Sequence, residues 1–267
     1  MIRDITIGQY YPAPSVLHRL DPRVKFIWTV IYIVALFLVN NWGFILCTGA
    51  LAALIVLSKV PFSFMVKGLK AVIIILLITM AINMFLTPGE AIFQWKIFTI
   101  TKEGLRMAFL MAIRLICIIL GTSLMTLTTT PNQLTNGLET LFAPLRHIKV
   151  PVAEIAMMMS IALRFIPILL DETDKIIKAQ MARGADFESG GLIKKIKSYV
   201  PLFVPLFISA FRRANDLALA MEARCYHGGG GRTQMKPLKY KKNDIISYVF
   251  MAAFLAAVIL GKIFINW

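Results

Sequence analysis

The stretch VAEIAMMMSIALRFIPILLDETDKIIKAQMARG, Val152 to Gly184, decides the fold. Through Leu170 it is apolar except for Glu154, Ser160 and Arg164, it turns charged at Asp171-Glu172, and it closes on Ala182-Arg183-Gly184. As one helix, the 32 residues from Val152 to Arg183 reach about 48 Å, long enough to leave a bilayer. A second stretch repeats this plan. It starts at Lys194 to Lys197, passes through an apolar run in which Pro201 and Pro205 predict kinks, and closes on Ala223-Arg224-Cys225. Both ends read Ala-x-x-Ala-Arg, Ala179 to Arg183 and Ala220 to Arg224, with the arginines 41 residues apart. Small residues one turn earlier leave each guanidinium unobstructed. An arginine at a helix C-terminus complements the dipole there, and that accounts for a single copy. Two copies, each closing a long helix, are what a docking element for two similar partners requires.

Composition sets the class. Of 267 residues 58% are hydrophobic and 16% charged, with a mean hydropathy of +0.73, which is too apolar for a soluble domain of this length. The net charge of +15 does not point to nucleic acid, because apolar runs separate the basic residues and no reading motif occurs. Membrane topology and anionic lipid account for it. Cys47 and Cys117 lie in apolar runs and Cys225 stands alone, so there is no disulfide framework. His18, His147 and His227 have no metal-ligand spacing. Gly228 to Gly231 follows a helix and ends in Arg232, which makes it a flexible stop and not a phosphate cradle. If ATP drives this protein, another chain binds it.

Met1 to Lys25 is polar and turn-rich, lacks the marks of a secretory signal, and is expected to stay attached. Within it, Asp21 reads as a helix N-cap with Pro22 at the first helical position. Phe26 to Val39 and Trp42 to Leu57, runs of 14 and 16 residues around Asn40-Asn41, predict a helical hairpin. Ala71 to Leu86 is a third span, Thr87 to Thr101 a charge-balanced loop, Leu105 to Leu127 a fourth span and Ile245 to Ile265 the last. Met1 to Lys25 carries 4 basic residues against 2 acidic, Lys59 to Lys70 carries 3 against none, and Thr129 to Asp244 carries 17 against 10. Pro88 to Gly104 balances to zero. The positive-inside rule puts the first three segments, and with them both arginine ends, in the cytoplasm. Thr130-Pro131-Asn132-Gln133 is a capping box opening an amphipathic helix along the membrane surface, with Leu134, Leu138, Leu141, Phe142 and Leu145 on one face and a stop at Pro144.

The expected fold is thus an all-α polytopic membrane protein of about five transmembrane helices, with a cytoplasmic coupling module of two long helices plus a short amphipathic helix. Its regions are 1–128 with four spans, 129–242 as the coupling module, and 243–267 with the final span. Arg114 sits inside a span, where an unpaired charge costs several kcal/mol or more. A buried structural contact, with Asn83 as a partner, outweighs a transport role because no intramembrane carboxylate accompanies it. Met157, Met158 and Met159 fit core filling and a repackable surface equally. Asp171, Glu172, Asp174, Asp216 and Glu222 alternate with basic residues and read as solvated, paired faces. No nucleophile elbow or zinc pair occurs, which leaves an integral-membrane enzyme without support.

With Leu20-Asp21-Pro22-Arg23-Val24-Lys25, the long insertion before the last span, and the paired Ala182-Arg183-Gly184 and Ala223-Arg224-Cys225, the chain resembles the T component of energy-coupling-factor (ECF) transporters. The resemblance covers nearly the whole sequence. It implies a non-catalytic coupling subunit with two ABC-type ATPase subunits as partners, Arg183 and Arg224 each docking into one of them, and ATP-Mg bound only by those ATPases. It also implies a membrane-embedded substrate-binding S component resting on the apolar halves of the long helices, for vitamin or micronutrient uptake. Met157, Met158, Met159, Leu202, Phe203, Leu206 and Phe207 are the expected contact surface. The family motif reads Ala-Arg-Gly twice, so Cys225 departs from it, with Gly228 to Gly231 close behind to end the helix. Within the resemblance, a dedicated metal-ion or biotin module is the nearest rival. A conventional ABC permease would usually carry one coupling helix, and a secondary transporter working without ATPases would usually show inverted repeats or paired intramembrane charges.

Overall fold

The computed structural model describes residues 10–39, 43–95, 98–185, 187, 191, 198–228, 235 and 237–264. Ten of the elements are α1 Val16–Arg19, α2 Pro22–Leu38, α3 Gly43–Ser58, α4 Phe62–Leu86, β1 Ala91–Trp95, β2 Phe98–Thr101, α5 Lys102–Thr128, α6 Pro131–Leu141, a 3-10 helix Ala143–Ile148 and α7 Val152–Ala182. α8 Val200–Glu222 and α9 Lys242–Phe264 complete them. The chain divides into two compact units, one containing Leu138–Pro237 and the other Gly8–Gly137 with Leu238–Trp267.

The second unit is built by helices that are apolar all round. α4 leaves Ile73, Ile74, Ile75, Leu77 and Ile78 exposed, a surface that suits hydrocarbon and not water. Hydroxyls on such helices need a partner in lipid, and Thr48, Thr79, Thr122 and Thr128 each donate to a carbonyl of their own helix four residues back. The core includes Tyr32 and Leu36 from α2 with Val39 just after it, Cys47 and Leu51 from α3, and Leu120 and Leu124 from α5, with Val258 of α9 added. Gly104 lets the start of α5 meet the end of α4, since a Cβ there would lie 2.9 Å from the Met84 carbonyl oxygen and 3.1 Å from that of Asn83.

The start of α2 is tied down by charge. Asp21 caps it through the Arg23 amide (2.9 Å) and pairs with the Arg23 guanidinium (3.0 Å). The Arg23 guanidinium also lies 4.2 Å from the centre of the Tyr240 ring. The Asp21 amide donates to Asp244 Oδ1 (2.8 Å), and Asp244 Oδ2 accepts the Lys241 amide (2.7 Å). Asp244 is the third residue of α9, and its carboxylate reaches back to the amide of the residue before the helix, the acidic half of a capping box, while also clamping α9 to α2. Lys25 Nζ donates to the Thr128 carbonyl (2.8 Å), and the Tyr11 amide donates to the Leu127 carbonyl (2.9 Å), so the last two carbonyls of α5 are partnered.

His18 fixes the segment before this clamp. Its Nε2 lies 2.8 Å from the Tyr11 carbonyl, which only accepts, so Nε2 carries the proton and Nδ1 accepts the Ser15 hydroxyl (2.6 Å). Burial, with the Lys25 charge nearby, holds its pKa below the ordinary value despite that carbonyl.

Four expectations change. Thr87 to Thr101 is not a plain loop, since β1 and β2 pair antiparallel with Trp95 opposite Phe98. The third span, expected over Ala71 to Leu86, is the second part of a longer α4 that begins at Phe62, its parts Phe62–Lys70 and Val72–Leu86 bent by 62°. By length and composition α5, α7 and α9 are long enough to cross a membrane, and α4 makes a fourth if its bent parts form one span. The expected count of about five also included α2 and α3, apolar helices of 17 and 16 described residues that are shorter than these. Arg114 does not contact Asn83, which donates to Thr79 of its own helix (2.8 Å). Arg114 reaches the Val39 carbonyl at the end of α2 (3.4 Å) and lies 5.4 Å and 5.3 Å from the Phe37 and Phe44 ring centres. The cation thereby caps a helix end and shelters against two rings. The polypeptide is a multi-pass helical membrane protein with, among the described residues, one short strand pair.

Candidate functional site

The unit containing Leu138–Pro237 holds both arginine ends. α6 starts on the expected capping box, in which the Gln133 amide donates to Thr130 Oγ1 (3.3 Å) and the Thr130 amide to Gln133 Oε1 (3.2 Å). It ends at Leu141, and the 3-10 helix follows with Pro144 in its first turn.

α7 then ends in a complete Schellman motif. Gly184 takes the left-handed position (φ 87°), its amide donating to the Met181 carbonyl and the Ala185 amide to the Gln180 carbonyl, each at 3.0 Å. The Arg183 amide bonds the Gln180 carbonyl as well (3.0 Å). α8 ends in the same pattern shifted by 41 residues: Arg224 to Met221 (3.1 Å), Cys225 to Glu222 (2.9 Å) and Tyr226 to Met221 (3.1 Å). Cys225 occupies the left-handed position with φ 57°. The expectation that Gly228 to Gly231 would stop this helix is therefore corrected. The turn closes at Cys225 itself, at a cost of about 1–2 kcal/mol for a residue with a Cβ, and Gly229 to Gly231 lie outside the described residues. Arg183 and Arg224 occupy equivalent places at the two ends, and both are exposed.

Among the described residues one ion pair joins the two helices. Arg213 Nη2 lies 3.1 Å from Glu172 Oε2, and these residues are again 41 apart, each 11 before its arginine. The helices thus meet at matching positions. An open groove of about 650 Å³ sets Met157, Ser160, Ile161 and Arg164 of α7 against Leu217, Met221 and residues 224–228 of the α8 end, so the helices run antiparallel through this meeting point. At about 1.5 Å per residue each end lies about 16 Å beyond it, and the two arginines stand up to roughly 35 Å apart.

The other sequence-singled residues divide. Met158, Met159, Phe203 and Phe207 are exposed, at 60%, 43%, 54% and 62%. Met157 and Leu206 are half-buried. Leu202 is 6% exposed and packs inside. Pro201 stands in the first turn of α8, where no helical hydrogen bond is lost, so of its two prolines only Pro205 lies inside that helix. Pro167, which the sequence reading left unremarked, lies inside α7. Lys194 to Lys197 lie outside the described residues. Sequence reasoning also missed Asp244, whose partner at Asp21 is 223 residues away. Among the described residues no group of three or more His, Cys, Asp or Glu is placed to hold a metal ion.

These features define a multi-pass membrane protein that presents a pair of matched arginine-ended helices. The comparisons narrow the class. The family model described as "Cobalt transport protein" (CbiQ) matches residues 13–237. A Clostridium kluyveri protein named energy-coupling factor transporter transmembrane protein EcfT is 54% identical over 266 residues, covering 98% of each chain. Proteins of the same name from Ruminiclostridium cellulolyticum (54% over 261 residues; 97% of this chain, 98% of theirs) and Bacillus subtilis (47% over 260; 96% and 98%) match similarly. The chain belongs to the EcfT family, the transmembrane T components of energy-coupling factor transporters.

Proposed function

We infer that this chain is the non-catalytic coupling subunit of an ECF-type importer, carrying ATP-driven motion of two ABC-type ATPase subunits to a membrane-embedded S component that binds a vitamin or other micronutrient. The observation that carries this reading is the repeated helix end. Identical hydrogen-bond patterns set Arg183 and Arg224 at equivalent, exposed positions, as docking to two similar partners requires. Ala182 and Ala223 leave space beside each guanidinium, and Gly184 and Cys225 turn the chain away behind it. ATP and Mg²⁺ belong to the partner ATPases. Both ends and the amino-terminal segment face the cytoplasm, in accord with the excess of basic residues there.

Motion reaches the membrane side through the helices themselves. Closure of the ATPases moves the two arginine ends, and the Glu172–Arg213 pair makes the helices respond together. The yielding surface for the S component is Met158, Met159, Phe203 and Phe207, with Met157 and Leu206 at its margin, since flexible thioethers and exposed rings suit a partner that shifts. Leu202 supports this face from inside.

A dedicated metal-ion module is the second reading, favoured by the cobalt description of the matching family model. The near-full-length EcfT relatives favour the first. The test is affinity co-purification of tagged chain from membranes beside Arg183→Ala/Arg224→Ala. ATPases recovered with the native chain and lost from the double variant are the expected result, and the small membrane protein that co-elutes identifies the cargo. No ATPase with the native chain in mild detergent refutes the reading.

A further inference from the structure

In the membrane unit an apolar groove of about 520 Å³ opens sideways between α1, α3 and α9. Ala50 and Ala53 line it on the α3 side, Phe250 and Phe254 on the α9 side, and Trp28 of α2 is held by its indole N–H donating to Ser247 (3.1 Å). The groove runs from Asn243 to Phe254, 11 residues along α9 and so about 16 Å, which matches one leaflet of a hydrocarbon core about 30 Å thick.

Charge at one end selects the occupant. Arg19 lies between the lining residues Leu17 and Leu20, Lys59 two residues beyond Leu57, and Lys242 directly before Asn243. All three are exposed, and none forms an ion pair among the described residues. The nearby acids are engaged: Asp21 with Arg23, and Asp244 with two backbone amides. Three basic residues thus flank lining residues of the groove in sequence, and among the described residues the neighbouring carboxylates Asp21 and Asp244 are engaged. A second cavity, of about 60 Å³ beside Lys25, shares Leu17, Leu20, Trp28, Leu54 and Ser247 with the groove. That volume holds water and not a phosphate headgroup, which places the headgroup at the mouth.

We propose that this groove binds an anionic phospholipid of the cytoplasmic leaflet, one acyl chain lying along Trp28, Ala53 and Phe250 and the phosphate held by Arg19, Lys59 and Lys242. The site is independent of the arginine ends and of any ATPase. It anchors the clamp between α2 and α9 in the leaflet where that clamp sits.

The full chain carrying Trp42→Phe, Trp95→Phe and Trp267→Phe keeps Trp28 as its one indole, because the chain has four tryptophans. It is reconstituted in mixed phosphatidylglycerol and phosphatidylcholine vesicles of one composition, with brominated acyl chains on one lipid or the other. Bromine on phosphatidylglycerol is expected to quench Trp28 with at least about fivefold preference, the worth of one basic contact at a membrane surface. The preference falls to about one in Arg19→Gln/Lys59→Gln/Lys242→Gln, and Ala53→Phe, which fills the groove, lowers quenching by either lipid. Equal quenching by the two lipids, a preference that survives the triple substitution, or quenching unaltered by Ala53→Phe overturns the proposal.

Discussion

Replacing Asp244 with alanine tests the clamp that joins the first long helix of the membrane unit to the last. The carboxylate is 1% exposed and accepts two backbone amides, from Asp21 at 2.8 Å and Lys241 at 2.7 Å. Asp21 is itself 8% exposed, so its amide is left without water or partner in Asp244→Ala, at a cost of about 1–3 kcal/mol. The Lys241 amide borders solvent, and its loss is a lost cap of about 1 kcal/mol. The sum is about 2–4 kcal/mol, or a fall in melting temperature of roughly 5–15 °C for a chain of this size. Asp244→Asn retains one acceptor oxygen but turns an amide donor toward the other N–H, so it recovers at most half of the loss. The assay is thermal unfolding of detergent-purified protein, with Asp216→Asn, an exposed carboxylate on α8, as the control that should leave stability unchanged. If Asp244→Ala melts within about 1 °C of the native chain, the clamp contributes nothing and the accounting from orphaned donors is refuted.

Cys225→Gly relieves the left-handed position at φ 57° and is expected to slow hydrogen exchange at the Cys225 and Tyr226 amides by about threefold, a gain of roughly 0.5–1 kcal/mol after glycine's greater unfolded freedom is subtracted. Gly104→Ala sets a methyl 2.9 Å from the Met84 carbonyl and should cost about 1–3 kcal/mol, read as a lower melting temperature. Because burial lowers the pKa of His18 in the folded chain, the unfolded chain binds more protons near and below pH 6.5 and stability falls on acidification through that range. His18→Gln should flatten the dependence of melting temperature on pH between about 7.5 and 5.5.

Local chemistry was legible in the sequence wherever both partners lay within a few residues. The N-cap at Asp21, the Thr130–Gln133 capping box and the two arginine helix ends all depend on spacings of this kind, and the structure forms each one. The 41-residue repeat was legible as a repeat of letters, but the left-handed Cys225 was not, because glycine is the expected residue there and the chain tolerates strain for the same turn. Long-range pairing was opaque. Asp244 meets Asp21 across 223 residues, and Arg114 meets Val39 across 75. An all-round apolar helix carries no periodic stripe to say which neighbour it faces. The antiparallel pairing of Ala91–Trp95 with Phe98–Thr101 is not legible, because the strands are short, follow a Pro-Gly turn and lie in a charge-balanced segment.

The ion pair between Glu172 and Arg213 adds what the repeat alone does not supply. A repeat of two helix ends is compatible with helices that move separately. Contact at residues related by the same shift of 41 means that each helix touches the other at the position its counterpart offers in return, as at an axis of approximate twofold symmetry. With antiparallel helices the two arginine ends then lie on opposite sides of that point, each 11 residues away. Opposed displacements of the two ends rotate the pair about its meeting point, whereas displacement of one end alone shifts one helix against the other and strains the contact. The pair is about a third exposed, so its own energy is small, about 0.5 kcal/mol. Its importance lies in registry: charge reversal at Glu172 alone should uncouple the ends, and Glu172→Arg with Arg213→Glu should restore them. The readout is the distance distribution between spin labels at residues 180 and 221, which should broaden in the single variant and narrow again in the swap. An unchanged distribution in all three proteins would show that packing, and not this pair, holds the helices in register.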